Sequence, residues 1–392
     1  MKVAFVVQRY GVEVNGGAEY LCRLLAENLS KNLDVEVITT CALDYITWNN
    51  HYPEGKDAVN GVTVWRFPVD SPRNIKKFNE FSEKILLRAH TEDDEITWMK
   101  LQGPYSTKLL EFIKIQKDNF DFFIFFTYLY CTTFFGLPLI RSKAILVPTA
   151  HDEPPIHLSI FKEIFQTPIA IVYNTDDEKK FVNSFFNNSN IPSDTIGVWV
   201  KPPKNIHAEY FRSKYGIKSR FILYIGRIDE SKGCKELFEY FLRYKRETNS
   251  DIKLVLLGKA VAKIPQDDDI IALGFVSEVD KYDAILASEL LIMPSRYESL
   301  SIVLLESWTC KKPCLVNSES MVLKSQCIKS NGGLWYENYD EFKASLDLLL
   351  ANDEMRKKLG ENGRRYVEKN YSHTVIEKKY LHMLEKLQKQ YK

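Results

Sequence analysis

Two carboxylates, Glu298 and Glu306, enclose the stretch Glu298-Ser-Leu-Ser-Ile-Val-Leu-Leu-Glu306, which follows Leu290-Leu-Ile-Met-Pro-Ser-Arg-Tyr. A helix beginning near Leu300 would leave its first backbone N–H groups without partners, suited to a phosphate or a sugar oxygen. Glu298 then sits on the loop before that end, and Glu306 lies roughly 9 Å further along at about 1.5 Å per residue. That is the kind of separation found between the sugar and the ribose of a nucleotide-sugar. Ile302, Val303, Leu304, Leu305 and Trp308 surround Glu306, so the helix is expected to be buried and its carboxylate to face a cleft or find hydroxyl donors. Taken alone, the pattern also fits a first-turn acid that offsets the helix dipole.

A pair of cations precedes these acids. Phe221-Ile-Leu-Tyr-Ile-Gly226-Arg227-Ile-Asp-Glu-Ser-Lys232-Gly233 has the order strand, glycine turn, helix. Ligands in such sheets collect at the carboxyl ends of strands, where Arg227 and Lys232 fall. Together they can neutralise a diphosphate, Arg by its planar fork and Lys as a point charge; they also fit a pair of solvated surface charges. Near the N-terminus, Arg9-Tyr-Gly11-Val-Glu-Val-Asn15-Gly16-Gly17-Ala18-Glu19 follows a strand and opens a helix, which suits phosphate. It carries neither a dinucleotide fingerprint nor the Lys and Ser or Thr of a Walker loop, and a tight turn is the plainer account. His151, in Thr149-Ala-His151-Asp152-Glu153-Pro154, falls at another strand mouth, where imidazole can donate or accept at neutral pH. Asp152 and Glu153 are acceptor-side candidates or simply start a turn.

Parallel sheets covered by helices would position all of these groups, and the alternation of short apolar runs with helical patterns predicts them. In the first half strands are expected at 3–7, 35–39, 62–67, 122–126, 144–147 and 169–173. A turn-rich stretch over 197–205, with Pro202 and Pro203, then breaks the pattern. Strands resume at 221–225, 253–257, 290–293 and 314–316, with helices near 235–246, 279–287 and 302–310. Two Rossmann-like domains follow: 1–200 on the acceptor side, completed by a C-terminal helix over 373–392, and 206–372 on the donor side. Between 74 and 89, Lys76, Lys77, Lys84 and Arg88 accompany Ile75, Phe78, Ile85 and Leu86 at helical spacing. Core packing with snorkelling lysines accounts for this stretch, and contact with an anionic membrane or a lipid-linked acceptor is the alternative.

The chain has 392 residues and a formal charge of +1, from 53 Lys plus Arg against 52 Asp plus Glu. That balance gives no overall attraction to nucleic acid, and none is expected as a partner. Seven cysteines without a C-x-x-C pair argue for reduced thiols and a cytoplasmic protein. No signal peptide or membrane-spanning run is expected, which leaves peripheral contact with the inner membrane face open. Asp267-Asp-Asp269 could be an Asp-x-Asp metal site, but it lies in a polar loop, and no His or Cys spacing suggests a metal.

Together, the Gly226-Arg227 and Lys232-Gly233 turn, the Glu298 to Glu306 stretch after Pro294-Ser295, Lys312-Pro313 and Asn331-Gly-Gly-Leu resemble the retaining glycosyltransferases of family 4 (glycosyl transferases group 1). The resemblance covers the second half and implies a GT-B fold, two Rossmann-like domains across a cleft. It implies no tightly bound cofactor and no metal, a nucleotide-diphosphate-sugar as donor, and a carbohydrate or lipid-linked glycan as acceptor, in cell-surface polysaccharide or glycoconjugate assembly. Arg227 and Lys232 would hold the diphosphate, Glu298 the transferred sugar and Glu306 the ribose. Leu300, Ser301 and Ile302 would offer backbone N–H groups, and Val276, in Leu273-Gly274-Phe275-Val276, would lie beside the nucleobase. His151 would approach the transferred sugar, with Gly16 and Gly17 near donor phosphate. Ser299-Leu300-Ser301 stands where many members have Gly-Phe-Gly, which keeps backbone donors but alters the space around the sugar. A noncatalytic nucleotide-sugar-binding subunit, an epimerase or a phosphorylase on the same architecture are the rival readings.

Overall fold

The structure, a computed structural model, describes residues 1–14 and 16–391. The chain divides into two compact units, Met1–Val198 with Glu377–Lys392, and Trp199–Ile376.

The first unit is built on one sheet. Its strands are β1 (Lys2–Val6), β2 (Asp34–Thr40), β3 (Gly55–Val59), β4 (Val62–Phe67), β5 (Phe122–Phe126), β6 (Ala144–Val147), β7 (Ala170–Tyr173) and β8 (Ser193–Thr195). They lie in the order β3-β4-β2-β1-β5-β6-β7-β8, parallel except where β3 pairs with β4. Near-continuous apolar runs mark strands covered on both faces, and β5, Phe-Phe-Ile-Phe-Phe, is buried at every position. Every strand expected in this half is present. The structure adds β3, which is largely exposed and joins β4 through Asn60-Gly61, both at positive φ as a two-residue hairpin requires. It also adds the short polar β8.

Helices α1 (Gly17–Leu29), α2 (Ile75–Leu87) and α3 (Asp176–Phe186) belong to this unit. Core packing of α2 holds for one face only: Ile85 is buried and Phe78 and Phe81 pack partly, while Leu87 is 80% exposed.

The second unit carries β9 (Phe221–Ile225), β10 (Lys253–Leu257), β11 (Ile270–Ala272), β12 (Leu291–Met293), β13 (Cys314–Asn317) and β14 (Gly333–Tyr336). Its sheet is parallel throughout, in the order β11-β10-β9-β12-β13-β14. Helices α4 (Cys234–Thr248), α5 (Glu278–Ala287) and α6 (Ile302–Thr309) flank the strands near the candidate site. The last helix, α7 (His373–Tyr391), counts with the first unit from Glu377 on and buries Tyr380, Leu384 and Leu387.

Strand order settles where ligands can gather. The chain lays β9, β10 and β11 outward on one side, then returns to start β12, β13 and β14 on the other. The carboxyl ends of β9 and β12 therefore flank a topological switch point, the place where open α/β sheets bind ligands. In the first unit β1 and β5 flank the corresponding point.

Candidate active site

Arg227 and Lys232 emerge just beyond β9, and Glu298 just beyond β12. Lys232 Nζ donates to Glu298 Oε1 at 2.8 Å, across 66 residues of sequence. The turn is organised by Asp229, which sequence reasoning passed over. Its Oδ1 accepts from the Lys232 backbone N–H at 3.0 Å and from the Ser231 hydroxyl at 2.6 Å, and its Oδ2 takes the Arg227 Nε–H. An Asp closing a turn onto the N–H three residues ahead is an N-cap signature, so the signal was legible. Gly226 N–H bonds to Leu257 O at 2.9 Å and anchors the turn to β10. Gly233 sits at φ 73°, and a Cβ there would overlap the carbonyl of Pro294, so this glycine lets the cation-bearing turn press against the segment leading to Glu298.

The helix after Glu298 starts where the span 302–310 expects it, two residues past the alternative start near Leu300. It begins at Ile302, with Ser301 as N-cap. Ser301 Oγ accepts the Leu304 N–H at 3.3 Å, an intrahelical end bond that a serine at this position is suited to make. Leu300 and Ser301 thus lie outside the helix, and the helical N–H groups nearest its mouth belong to Ile302 and Val303. Leu300 is buried as an apolar side chain.

Glu306, one turn into this helix, is 1% exposed, as its apolar surroundings predict. A cation stands closest to it: Lys281 Nζ, from α5, lies 2.7 Å from Glu306 Oε1, and the Tyr282 hydroxyl also bonds to this carboxyl. Oε2 has no hydrogen-bond partner among the described residues. Burial pushes the Glu306 carboxyl up from its ordinary range, and Lys281 opposes that rise. Lys281 carried no sequence signal beyond its place on an otherwise buried helix, between Asp280 and Tyr282. The loop before α5 keeps Phe275 67% exposed beside half-buried Val276. Gly274 O accepts from Gly258 N–H at 2.7 Å, which ties this loop to the end of β10.

In the first unit His151 follows β6. Its Nε2 lies 3.2 Å from Glu153 Oε2, and Glu153 Oε1 accepts from the Tyr128 hydroxyl at 2.6 Å. The preceding residue, Ala150, donates its N–H to the buried carboxylate of Glu178 on α3 at 2.6 Å, which pins the loop. Asp152 instead pairs with His157 at 2.7 Å. Gly16 caps α1, and a Cβ there would overlap the Glu19 carboxylate, while a Cβ on Gly17 meets nothing within 4 Å among the described residues. Glu19 and Arg9 form a buried ion pair, with Arg9 Nε 2.9 Å from Glu19 Oε1. Gly16 is thus shaped by packing, whereas the surroundings of Gly17 leave space for something else.

Other candidates resolve as scaffold. Asp269 pairs with Lys245 at 3.0 Å and Lys253 at 2.6 Å, and Asp267 accepts the Asp269 N–H. Among the described residues no group of three His, Cys, Asp or Glu comes together in a way that could hold a metal ion. All seven cysteines are free thiols. No described helix is long and apolar enough to cross a membrane.

Known proteins place this architecture. Residues 208–366 match the family described as Glycosyl transferases group 1. An uncharacterized glycosyltransferase of Methanocaldococcus jannaschii is 22% identical over 96% of each chain. Among solved structures, sucrose-phosphate synthase from Thermosynechococcus elongatus superposes with a TM-score of 0.73 at 13% identity, over 98% of each chain. HepE of Anabaena, solved in complex with UDP and glucose, gives 0.71 at 12% identity, over 98% of this chain and 99% of its own. The fold is GT-B, and this chain is a glycosyltransferase whose residues 208–366 match group 1.

Proposed function

We propose that this enzyme moves a sugar from a nucleoside diphosphate sugar to a carbohydrate or glycolipid hydroxyl, with retention of anomeric configuration and without a metal ion. The observation that carries the reading is the meeting of Arg227, Lys232 and Glu298 at the β9/β12 switch point, next in sequence to a helix that buries Glu306. The complex of HepE with UDP and glucose, on the same fold, fits a donor of that kind.

Each group then has a physical task. As the glycosidic bond breaks, negative charge grows on the diphosphate. Arg227, Lys232 and the N–H groups at the start of α6 stabilise that charge more than they stabilise the ground state, which is what accelerates the step. Lys232 must first leave Glu298, and the freed carboxylate is then available to the hydroxyls of the transferred sugar. Glu306 Oε2 accepts from ribose, Val276 lines the nucleobase side, and Gly17 leaves room for donor phosphate. His151, held by Glu153, serves the sugar and the reaction centre. No protein nucleophile is required, because the acceptor attacks from the leaving-group face and the donor phosphate helps to take its proton. A role in cell-surface polysaccharide or glycoconjugate assembly follows from an acceptor of this class.

A thermal-shift screen of nucleotide sugars tests the donor class, since a ligand at a hundredfold excess over its Kd stabilises the native state by about 2.7 kcal/mol. One class should raise the melting temperature, and product made with it and a glycan acceptor should keep the donor's anomeric configuration by NMR. An inverted product, or a chain that no nucleotide sugar stabilises, overturns the reading.

A further inference from the structure

The residue that faces Glu306 belongs to none of the motifs that define the site. Lys281 reaches from α5 to place Nζ 2.7 Å from Glu306 Oε1 and 2.9 Å from Glu278 Oε1. The Lys281 side chain is itself 14% exposed and that of Glu306 1%. A carboxylate taken this far from water binds a proton unless a cation stands beside it. Burial pulls the Lys281 ammonium down, but the Glu306 and Glu278 carboxylates outweigh that effect and hold it raised. Tyr282 of α5 bonds to the Glu306 carboxyl through its hydroxyl, and Cys310 lies just beyond α6; neither supplies a positive charge.

The geometry also divides the carboxylate. Oε1 is committed to Lys281, while Oε2 has no hydrogen-bond partner among the described residues. We propose that Lys281 is a positioning residue that keeps Glu306 anionic and fixed for a vicinal pair of hydroxyls, so that the donor site prefers ribonucleoside diphosphates to their 2′-deoxy forms. The inference rests on Glu306 being the ribose ligand, as proposed above. An ionised carboxylate is acceptor-only and can take both hydroxyls, whereas a protonated one turns an oxygen into a donor and loses one of them. When a site is built for a hydroxyl, the analogue lacking it leaves the buried acceptor unmatched and is rejected on that account.

Calorimetry on the full chain with UDP, ADP and GDP, each beside its 2′-deoxy counterpart, reads the preference directly. Whichever base binds, the ribose form should bind at least about tenfold tighter, the scale of a hydrogen bond to a charged group. Lys281→Gln keeps a donor but removes the charge, and should erase most of that ratio. Lys281→Arg should retain it. A merely structural lysine would change stability without changing the ratio, so a folded Lys281→Gln with the full wild-type preference overturns the inference. Glu306→Gln separates the two levels. If it keeps the preference, the ribose reading fails and this inference with it; if it loses the preference while Lys281→Gln keeps it, this inference alone fails. Should Lys281→Gln not fold, Lys281→Met, of similar length and without charge, is the variant to measure. Equal binding of both sugar forms by that variant supports the inference, and a retained preference overturns it.

Discussion

Removing Glu298 should strengthen the binding of a nucleoside diphosphate while weakening that of the intact nucleotide sugar. In the structure Glu298 occupies Lys232 at 2.8 Å, with side chains 12% and 31% exposed. The bare Coulomb term for a pair near a protein surface is about 4 kcal/mol at 4 Å. Solvent screening and side-chain entropy leave exposed pairs with about 0.2–1 kcal/mol; Lys232 is open enough to fall in that range, and the more buried Glu298 puts the pair near its top, about 1 kcal/mol. A diphosphate that takes Lys232 has to overcome that pairing. In Glu298→Gln it does not, so free diphosphate should bind roughly fivefold tighter. Relief of repulsion between the carboxylate and the phosphates acts in the same direction. The nucleotide sugar loses a charged acceptor for its hydroxyls, about 1.5–3 kcal/mol, and should bind more weakly overall. Titration calorimetry of the diphosphate and the matching nucleotide sugar against wild type and variant gives both signs in one experiment. A folded Glu298→Gln that binds the diphosphate no more tightly than wild type would refute the competition between Glu298 and phosphate for Lys232.

Arg227→Ala and Lys232→Ala should each lower turnover by about 100-fold, the scale of losing one transition-state donor, and near-normal rates in folded variants would defeat the assignment. Gly16→Ala presses a Cβ against the movable Glu19 carboxylate and should destabilise the fold by about 1–3 kcal/mol in chemical denaturation, the scale of overpacking. Gly17→Ala meets no atom of the described residues, so its melting temperature should hold or rise; an unchanged donor KM in that variant would count against phosphate near this loop. On the second unit, the Lys343 ammonium, with Arg243 and Tyr339, holds Glu247 down at about 2. A carboxyl depressed on folding stabilises above its unfolded value near 4.5 and loses that contribution as pH falls toward about 2. The melting-temperature gap between wild type and Glu247→Gln should therefore close across that window, and a constant gap would show the contacts to be unimportant.

Much of the scaffold was legible because its signals are local. Apolar runs such as Phe122–Phe126 and Phe221–Ile225 announce strands covered on both faces. The turn residues around Gly226 and Gly233 place Arg227 and Lys232 at a strand mouth without reference to the rest of the chain. The hairpin at Asn60-Gly61 was equally local, yet the polar strand before it has no apolar alternation to draw the eye. The exact start of α6 depended on which serine turned its hydroxyl back to an N–H. Ser301 does so, which sets the start at Ile302, as the span 302–310 expects, and not near Leu300, and leaves the free amides at Ile302 and Val303.

Residue types and spacing by themselves determined that cations stand at one strand end and carboxylates beyond another, since each follows from the periodicity of a few neighbours. Tertiary structure alone decided that these ends are adjacent, because strand order places β12 beside β9 although 66 residues separate Lys232 from Glu298. It also decided what opposes the burial of Glu306. A buried carboxylate needs a nearby cation to stay ionised, and here that cation comes from another helix, 25 residues away in the chain.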